Sequence, residues 1–227
     1  MMREKMPSLV VTKKKSKVDP YNDPARLGGS IQTSTGGIFY PLDVREEEIT
    51  LKDVAHGLSH KARFTGHTRK FYCTAEHAVR VSKCVEMLGG TAMQQYVALH
   101  HDDSDAYLPD VPTPLKVLPE FEFFRKIEKD IEHACYRKFG CVVDDYTIVK
   151  KADMMLLLTE KRDLMPKING NWGRFEMKPI PEPYRIIPWT PKKAREKYLD
   201  RHAELVLNLT AELTATAVKL MESLNQD

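Results

Sequence analysis

Apolar residues recur at helical spacing along most of this chain, and the polar runs between them mark where the helices stop. In "REEEITLKDVAHGLSH" (45–60), Val54 and Leu58 form a stripe, while Thr50 followed by Asp53 supplies an N-cap signature, so the segment begins a helix. "CTAEHAVRVSKCVEML" (73–88) turns Ala78, Val81 and Val85 inward and is closed by Gly89–Gly90. "TAMQQYVALHHDDSDAYL" (91–108) reads as the next helix, ended by the three prolines of "PDVPTPLK". "EFEFFRKIEKDIEHACYRKFG" (120–140) is amphipathic and stops at Gly140. "DYTIVKKADMMLLLTEKRDLM" (145–165) has a dense apolar middle and ends before Pro166. A last helix spans about 193–224, with Leu205, Leu209, Leu213, Leu220 and Leu224 at helical spacing. Only "SIQTSTGGIFYPLD" (30–43) has another rhythm. Its β-favouring residues on either side of Gly36–Gly37 predict a small hairpin.

The pattern predicts an all-α bundle with one N-terminal β-hairpin and no internal repeats. Residues 1–28 read as a loose basic arm, with Pro20, Pro24 and Gly28–Gly29, and residues 29–227 as a single helical domain that includes the C-terminal helix. "KARFTGHTRKFY" is a polar loop interrupted by Gly66, and 166–192 is irregular and Pro-rich. The 227 residues suffice for one full-sized domain.

Composition narrows the function classes only a little. Apolar residues make up 42% and charged residues 30%, a globular balance. A net charge of +3 is too small to argue for a stable nucleic-acid partner. The basic runs "KKKSK" (13–17) and "PKKAREK" (191–197) read as a solvated tail and a helix face. Cys73, Cys84, Cys135 and Cys141 form no CxxC pair, which suits reduced, packed thiols in a cytoplasmic protein. No apolar stretch reads as a signal peptide or a bilayer span, so no membrane partner is expected.

The chemistry gathers in "HHDDSDAYLPDVPTPLK" (100–116). On a helix His101 and Asp105, four apart, project from nearly the same face, with Asp102 beside them. Imidazole and carboxylate are ligands that a divalent cation accepts. By itself such a pair is equally a helix end dressed with solvated charge. His77, among the small residues of "AEHAV", is either a satisfied core histidine or a ligand. Asp153 leads directly into five apolar residues, too deep in its helix to be an N-cap, and there a carboxylate is costly unless paired or cation-bound.

His77, His101–Asp102 and Asp153 stand in the order H…HD…D. Together with "KARFTGHTRKFYCTAEH", "HDDSDAYLPDVPTPLK" and "KKADMMLLLTEKRDLM", they resemble the HD-domain metal-dependent phosphohydrolases, in particular bacterial five-prime deoxynucleotidases and phage-borne hydrolases such as dATP triphosphohydrolases. The likeness covers residues 30 to 205. It implies an HD-type helical bundle holding a divalent ion (Mn, Co, Mg, Fe or Zn) on His77, His101, Asp102 and Asp153. It further implies a second ion near Asp105 and Asp110. Asp102 and Asp105 are then the catalytic carboxylates, although Asp105 is one methylene shorter than the family's usual glutamate. Arg63 and Phe64 match the family's substrate-binding Arg–aromatic pair, with Lys116 and Asp110 as further substrate contacts and His67 and Arg69 weaker ones. Pro109 stands where the family often has glycine.

The implied activity is hydrolysis of phosphate ester or anhydride bonds in (deoxy)nucleotides, as a monophosphate phosphatase or a dNTP triphosphohydrolase. The alternatives are a non-catalytic nucleotide-binding HD protein and an HD phosphodiesterase. The expected partners are a nucleotide and further copies of the chain, in the cytoplasm (the host's, if phage-encoded). The leucines of the last helix either cover the bundle or build that oligomer.

Overall fold

Seven α-helices and one two-stranded antiparallel sheet make up the regular structure among the described residues, which in this computed structural model are 21, 23–142, 144–168 and 177–224. Most of the expected N-terminal arm (1–20 and 22, with its basic run) and residues 169–176 of the Pro-rich stretch lie outside the described residues. The hairpin is short: β1 (Ile31–Gln32) pairs with β2 (Ile38–Phe39), Ile31 opposite Phe39 and Gln32 opposite Ile38. Its turn hangs on the first helix, because Asp53 accepts hydrogen bonds from the Ser34 and Thr35 hydroxyls and from the Thr35 backbone N–H. Phe39 is buried and stacks on Tyr107 at 3.9 Å.

α1 (Leu51–His60) starts where its cap residues say it should: the Thr50 hydroxyl accepts from the Asp53 N–H at 3.1 Å. A 3-10 turn at Glu46–Glu48 precedes it. α2 (Thr74–Met87), α5 (Glu122–Phe139), α6 (Thr147–Leu164) and α7 (Pro191–Leu224) fall close to the periodic segments. α5 ends on Gly140, whose φ of 71° is the left-handed conformation that glycine adopts without strain. Neighbouring helices α1, α3, α6 and α7 all pack on α2, so α2 is the central rod of the bundle.

The segment 91–108 departs from expectation. α3 (Ala92–His100) opens with a capping box, in which the Thr91 and Gln94 side chains satisfy each other's backbone N–H, and it ends at His100. His101 and Asp102 then form a turn, and Asp103–Ala106 is a separate 3-10 helix. Asp and Ser side chains compete with helical backbone bonding, and here Asp103 turns inward to bond His100 and Tyr198, which ends the α-helical run. His101 and Asp105 therefore do not share a helix face. A further short helix, α4 (Thr113–Lys116), forms within "PTPLK", with Pro114 in its first turn.

Close packing fixes this 3-10 turn against α1. A Cβ on Gly57 would lie 2.8 Å from the Ala106 carbonyl oxygen. Gly57→Ala is expected to cost about 1–3 kcal/mol through forced displacement of the turn. Urea unfolding would read this directly, and an unchanged midpoint would contradict so close an approach. Among the described residues no helix is long and apolar enough to cross a membrane.

Candidate metal centre

Four chain segments bring the site together. The first is the loop before α2. An antiparallel bridge joins Ala62 to Cys73, flanked by Arg63 N–H to Tyr72 O (3.0 Å) and Thr74 N–H to Lys61 O (3.1 Å), so the loop closes at its base. Inside it Phe64 and Thr65 hold φ near 54° and 53°, which is uncommon for residues with side chains. Arg69 ties the loop to the end of α6 by bonds to Asp163 O and Leu164 O. This leaves Arg63 inward and mostly buried, its guanidinium 5.6 Å from the Phe64 ring centre.

The second segment is α2, where His77 sits in the first turn rather than mid-helix and is fully buried. The third is α6, which grips that imidazole from both sides. Asp153 and Glu160 are seven residues apart and so share a helix face. Asp153 Oδ1 lies 3.1 Å from His77 Nε2, and Glu160 Oε1 lies 2.7 Å from His77 Nδ1. Glu160 also accepts from the Tyr72 hydroxyl at 2.8 Å and faces Arg63 at 3.4 Å.

His101 follows α3 and donates Nδ1–H to the Ala98 carbonyl at 2.8 Å. Its Nε2 is then aimed at His77 Nε2, 3.4 Å away. Asp102 closes the group, with Oδ1 3.5 Å from His101 Nε2, and Oδ2 3.6 Å from His77 Nε2 and 3.4 Å from Arg63. The imidazoles form the floor, while the carboxylates of Asp102 and Asp153, 28% and 41% exposed, form the mouth. The ligand atoms of His77, His101 and Asp153 all lie within 4.8 Å of one another, and this cluster can hold a metal ion. Its donor set suits one. Both Nδ1 atoms are committed to oxygen acceptors, so the two converging Nε2 atoms are the ones left to ligate, that of His77 once it has shed its proton. The 3.4 Å separation of those nitrogens also matches two ligands on one ion with bonds of about 2.1 Å.

Charge in the site is strongly biased. Burial and the Arg63 charge would push the His77 pKa down, but Glu160 and Asp153 overcome them and raise it to about 9. Burial opposes the charge on Asp153 and Glu160, yet His77 and Arg63 hold both carboxyls below the usual carboxylate range. Asp105 goes the other way. Burial, then the Asp102 charge, push it up to about 7 against the pull of Lys61.

The remaining sequence candidates are dispersed around this core. Lys116 is engaged with Glu128 at 2.5 Å. Asp110 is half-buried, and its charge reaches both Asp105 and Lys61. His67 is exposed, and its backbone N–H closes the turn on the Phe64 carbonyl. His100 and Asp103 face away from the cluster. His100 and Asp103 form a buried network with Tyr198 and His202 of α7, which pins the turn carrying His101 and Asp102 (His100 Nδ1 to Asp103 Oδ2, 2.6 Å; His100 Nε2 to His202 Nδ1, 3.0 Å).

Sequence reasoning missed Glu160 and Lys61. Glu160 had a signal: it is a second carboxylate on the Asp153 face, at the far end of the same apolar run. Lys61 had none, since its half-buried place beside Asp102, Asp105 and Asp110 depends on the bridge to strand-like residues 72–74.

A scan against models of protein families finds no match. Among curated proteins, the chain is 34% identical over 178 residues to "Uncharacterized protein YfdR" of Escherichia coli (strain K12), an alignment spanning 77% of this chain and 94% of the relative. The chain belongs to the YfdR family.

Proposed function

We propose that this protein is an HD-type metal-dependent phosphohydrolase acting on (deoxy)nucleotides, as a monophosphate phosphatase or a dNTP triphosphohydrolase. The observation that carries this reading is the convergence of His77, His101, Asp102 and Asp153, in their H…HD…D order, beside a buried arginine. These four side chains would hold a divalent ion. Bound there, the ion supplies an acidified water and neutralises charge on a phosphoryl group.

The chain's own groups do the rest. Arg63 stays charged between Asp102 and Glu160, and its buried Nε has no acceptor among the described residues. A buried donor left in that state costs about 1–3 kcal/mol, which an incoming phosphate oxygen would relieve. Phe64, whose ring the guanidinium overlies at 5.6 Å, is the aromatic neighbour that would pack on a sugar or base. Asp105, with its pKa near 7, exchanges a proton at neutral pH as a general acid or base must. Lys61 and Lys116 add positive charge beside it, which favours a phosphorylated substrate.

The test is a panel of deoxynucleoside mono- and triphosphates with Mn²⁺, Co²⁺ or Mg²⁺, products being separated by chromatography. Release of phosphate or triphosphate is expected from at least one nucleotide. No turnover of any of them by the metal-loaded protein overturns the reading. Binding without product favours the non-catalytic alternative, for which the shortened Asp105 is the supporting observation.

Metal affinity should depend on pH in a defined direction. In the metal-free protein His77 carries a proton with a pKa raised from 6.5 to about 9, and it must shed that proton to become a ligand. Mn²⁺ affinity measured by calorimetry is expected to rise up to about tenfold per pH unit towards pH 9 and then to flatten. The raised pKa stabilises the metal-free fold fully below pH 6.5, and that contribution is lost as pH rises through 9. A pH-independent affinity across this window would contradict the assignment of His77 as a ligand.

A further inference from the structure

The far half of α7 has no partner among the described residues. Tyr198, Arg201 and Leu205 are buried and Leu209 is half-buried, but every residue from 210 to 224 is exposed. Leu213 is 73% exposed, Leu220 60% and Leu224 68%. From Val206 to Leu224 only Glu212, Lys219 and Glu222 are charged, so solvated charge does not account for this stretch. Nor does local propensity. Thr210, Thr214, Thr216 and Val218 are poor helix formers, and a helix of this length is marginal in water without a covered face. The segment extends for about 28 Å at 1.5 Å per residue, so the uncovered surface is substantial.

Its pattern says what covers it. On a seven-residue repeat, Val206, Leu213 and Leu220 fall in one row and Leu209, Thr216 and Ser223 in the next, with Ala217 and Leu224 alongside. Glu212 and Lys219, also seven apart, both edge this stripe on the same side. We propose that the exposed half of α7 pairs antiparallel with the same segment of a second copy of this chain. About a two-fold axis near residue 215, Leu209 meets the partner's Leu220, Leu213 meets the partner's Thr216, and Glu212 meets the partner's Lys219. Each contact occurs twice, as an isologous interface requires. A parallel pairing would instead set Glu212 against Ala217 and Lys219 against Leu224, leaving both charges on apolar neighbours. The charge placement is therefore self-complementary only in the antiparallel sense. This inference is independent of the proposed activity.

Sedimentation equilibrium of the full chain is expected to give a dimer at micromolar concentration. Leu213→Glu with Leu220→Glu is expected to give a monomer whose bundle unfolds at an unchanged temperature, because both positions lie beyond the core. Lys219→Glu places two pairs of carboxylates together and should weaken dimerisation about tenfold, while the swap Glu212→Lys with Lys219→Glu should restore it. A wild-type monomer overturns the proposal. So does a dimer that the leucine pair leaves intact, or one in which the charge swap fails to rescue the single variant.

Discussion

Asp102→Ala is expected to lower the proposed nucleotide turnover by more than about a hundredfold, since even residues that only orient metal ligands cost 10–100-fold when removed and Asp102 is one of the four proposed ligands. Stability should change little, within about 1 kcal/mol, for three reasons. Asp102 is 28% exposed, its partner Arg63 keeps Glu160, and its approaches to His77 and His101, at 3.6 and 3.5 Å, are longer than ordinary hydrogen bonds. A second readout separates this from a general loosening. The Asp102 charge is among the forces that push the Asp105 pKa up to about 7, so in the variant that pKa should fall, as measured by carboxyl-carbon NMR. Full activity in Asp102→Ala would remove it from the ligand set, and an unmoved Asp105 would mean the two carboxylates do not sense each other.

The largest effect on stability is expected at Glu160. It is fully buried and accepts from Tyr72 and from His77 while facing the Arg63 guanidinium. Glu160→Ala leaves the buried Tyr72 hydroxyl and His77 Nδ1–H without their acceptor and leaves the Arg63 cation with Asp102 alone, a loss of about 3–5 kcal/mol in an unfolding titration. Glu160→Gln keeps the shape and one acceptor, so it should cost less, yet it should still lower the His77 pKa from about 9 because the Glu160 charge helps to raise it. The acid limb moves as well. The folded carboxyl lies below its ordinary 4.5, so its contribution is present above that value and is lost as pH falls through the folded pKa. In Glu160→Gln this part of the acid sensitivity should disappear. A Glu160→Ala protein with a wild-type urea midpoint would mean that the network carries no net stability.

Much of the local architecture was legible from residue spacing, because helix formation answers to neighbours three and four positions away. Thr50 caps α1 as its pairing with Asp53 predicts, Gly140 stops α5, and the apolar rows of α2 and α6 face the core. The end of α3 was not legible. Nothing local distinguishes "HHDDSDAYL" as a helix from "HHDDSDAYL" as a turn and a 3-10 helix, since the deciding bonds run from Asp103 to Tyr198, 95 residues away. α4 escaped for the opposite reason: a single turn is too short to show a period.

The candidate centre divides in the same way. The order of His77, His101, Asp102 and Asp153 along the chain, the cost of a carboxylate beside an apolar run, and the helical setting of α2 and α6 are properties of the sequence itself. Only the tertiary structure decided that Glu160 clamps Nδ1 of His77, that Lys61 stands beside Asp105, and that His100 turns away to α7 while His101 turns in. It also decided which of the terminal leucines meet the bundle: Leu205 is buried, whereas Leu213, Leu220 and Leu224 are exposed. The reason is that periodicity specifies which face of an element is apolar but not which element will cover it, and a buried charge is stabilised only by groups that the fold brings in from far along the chain.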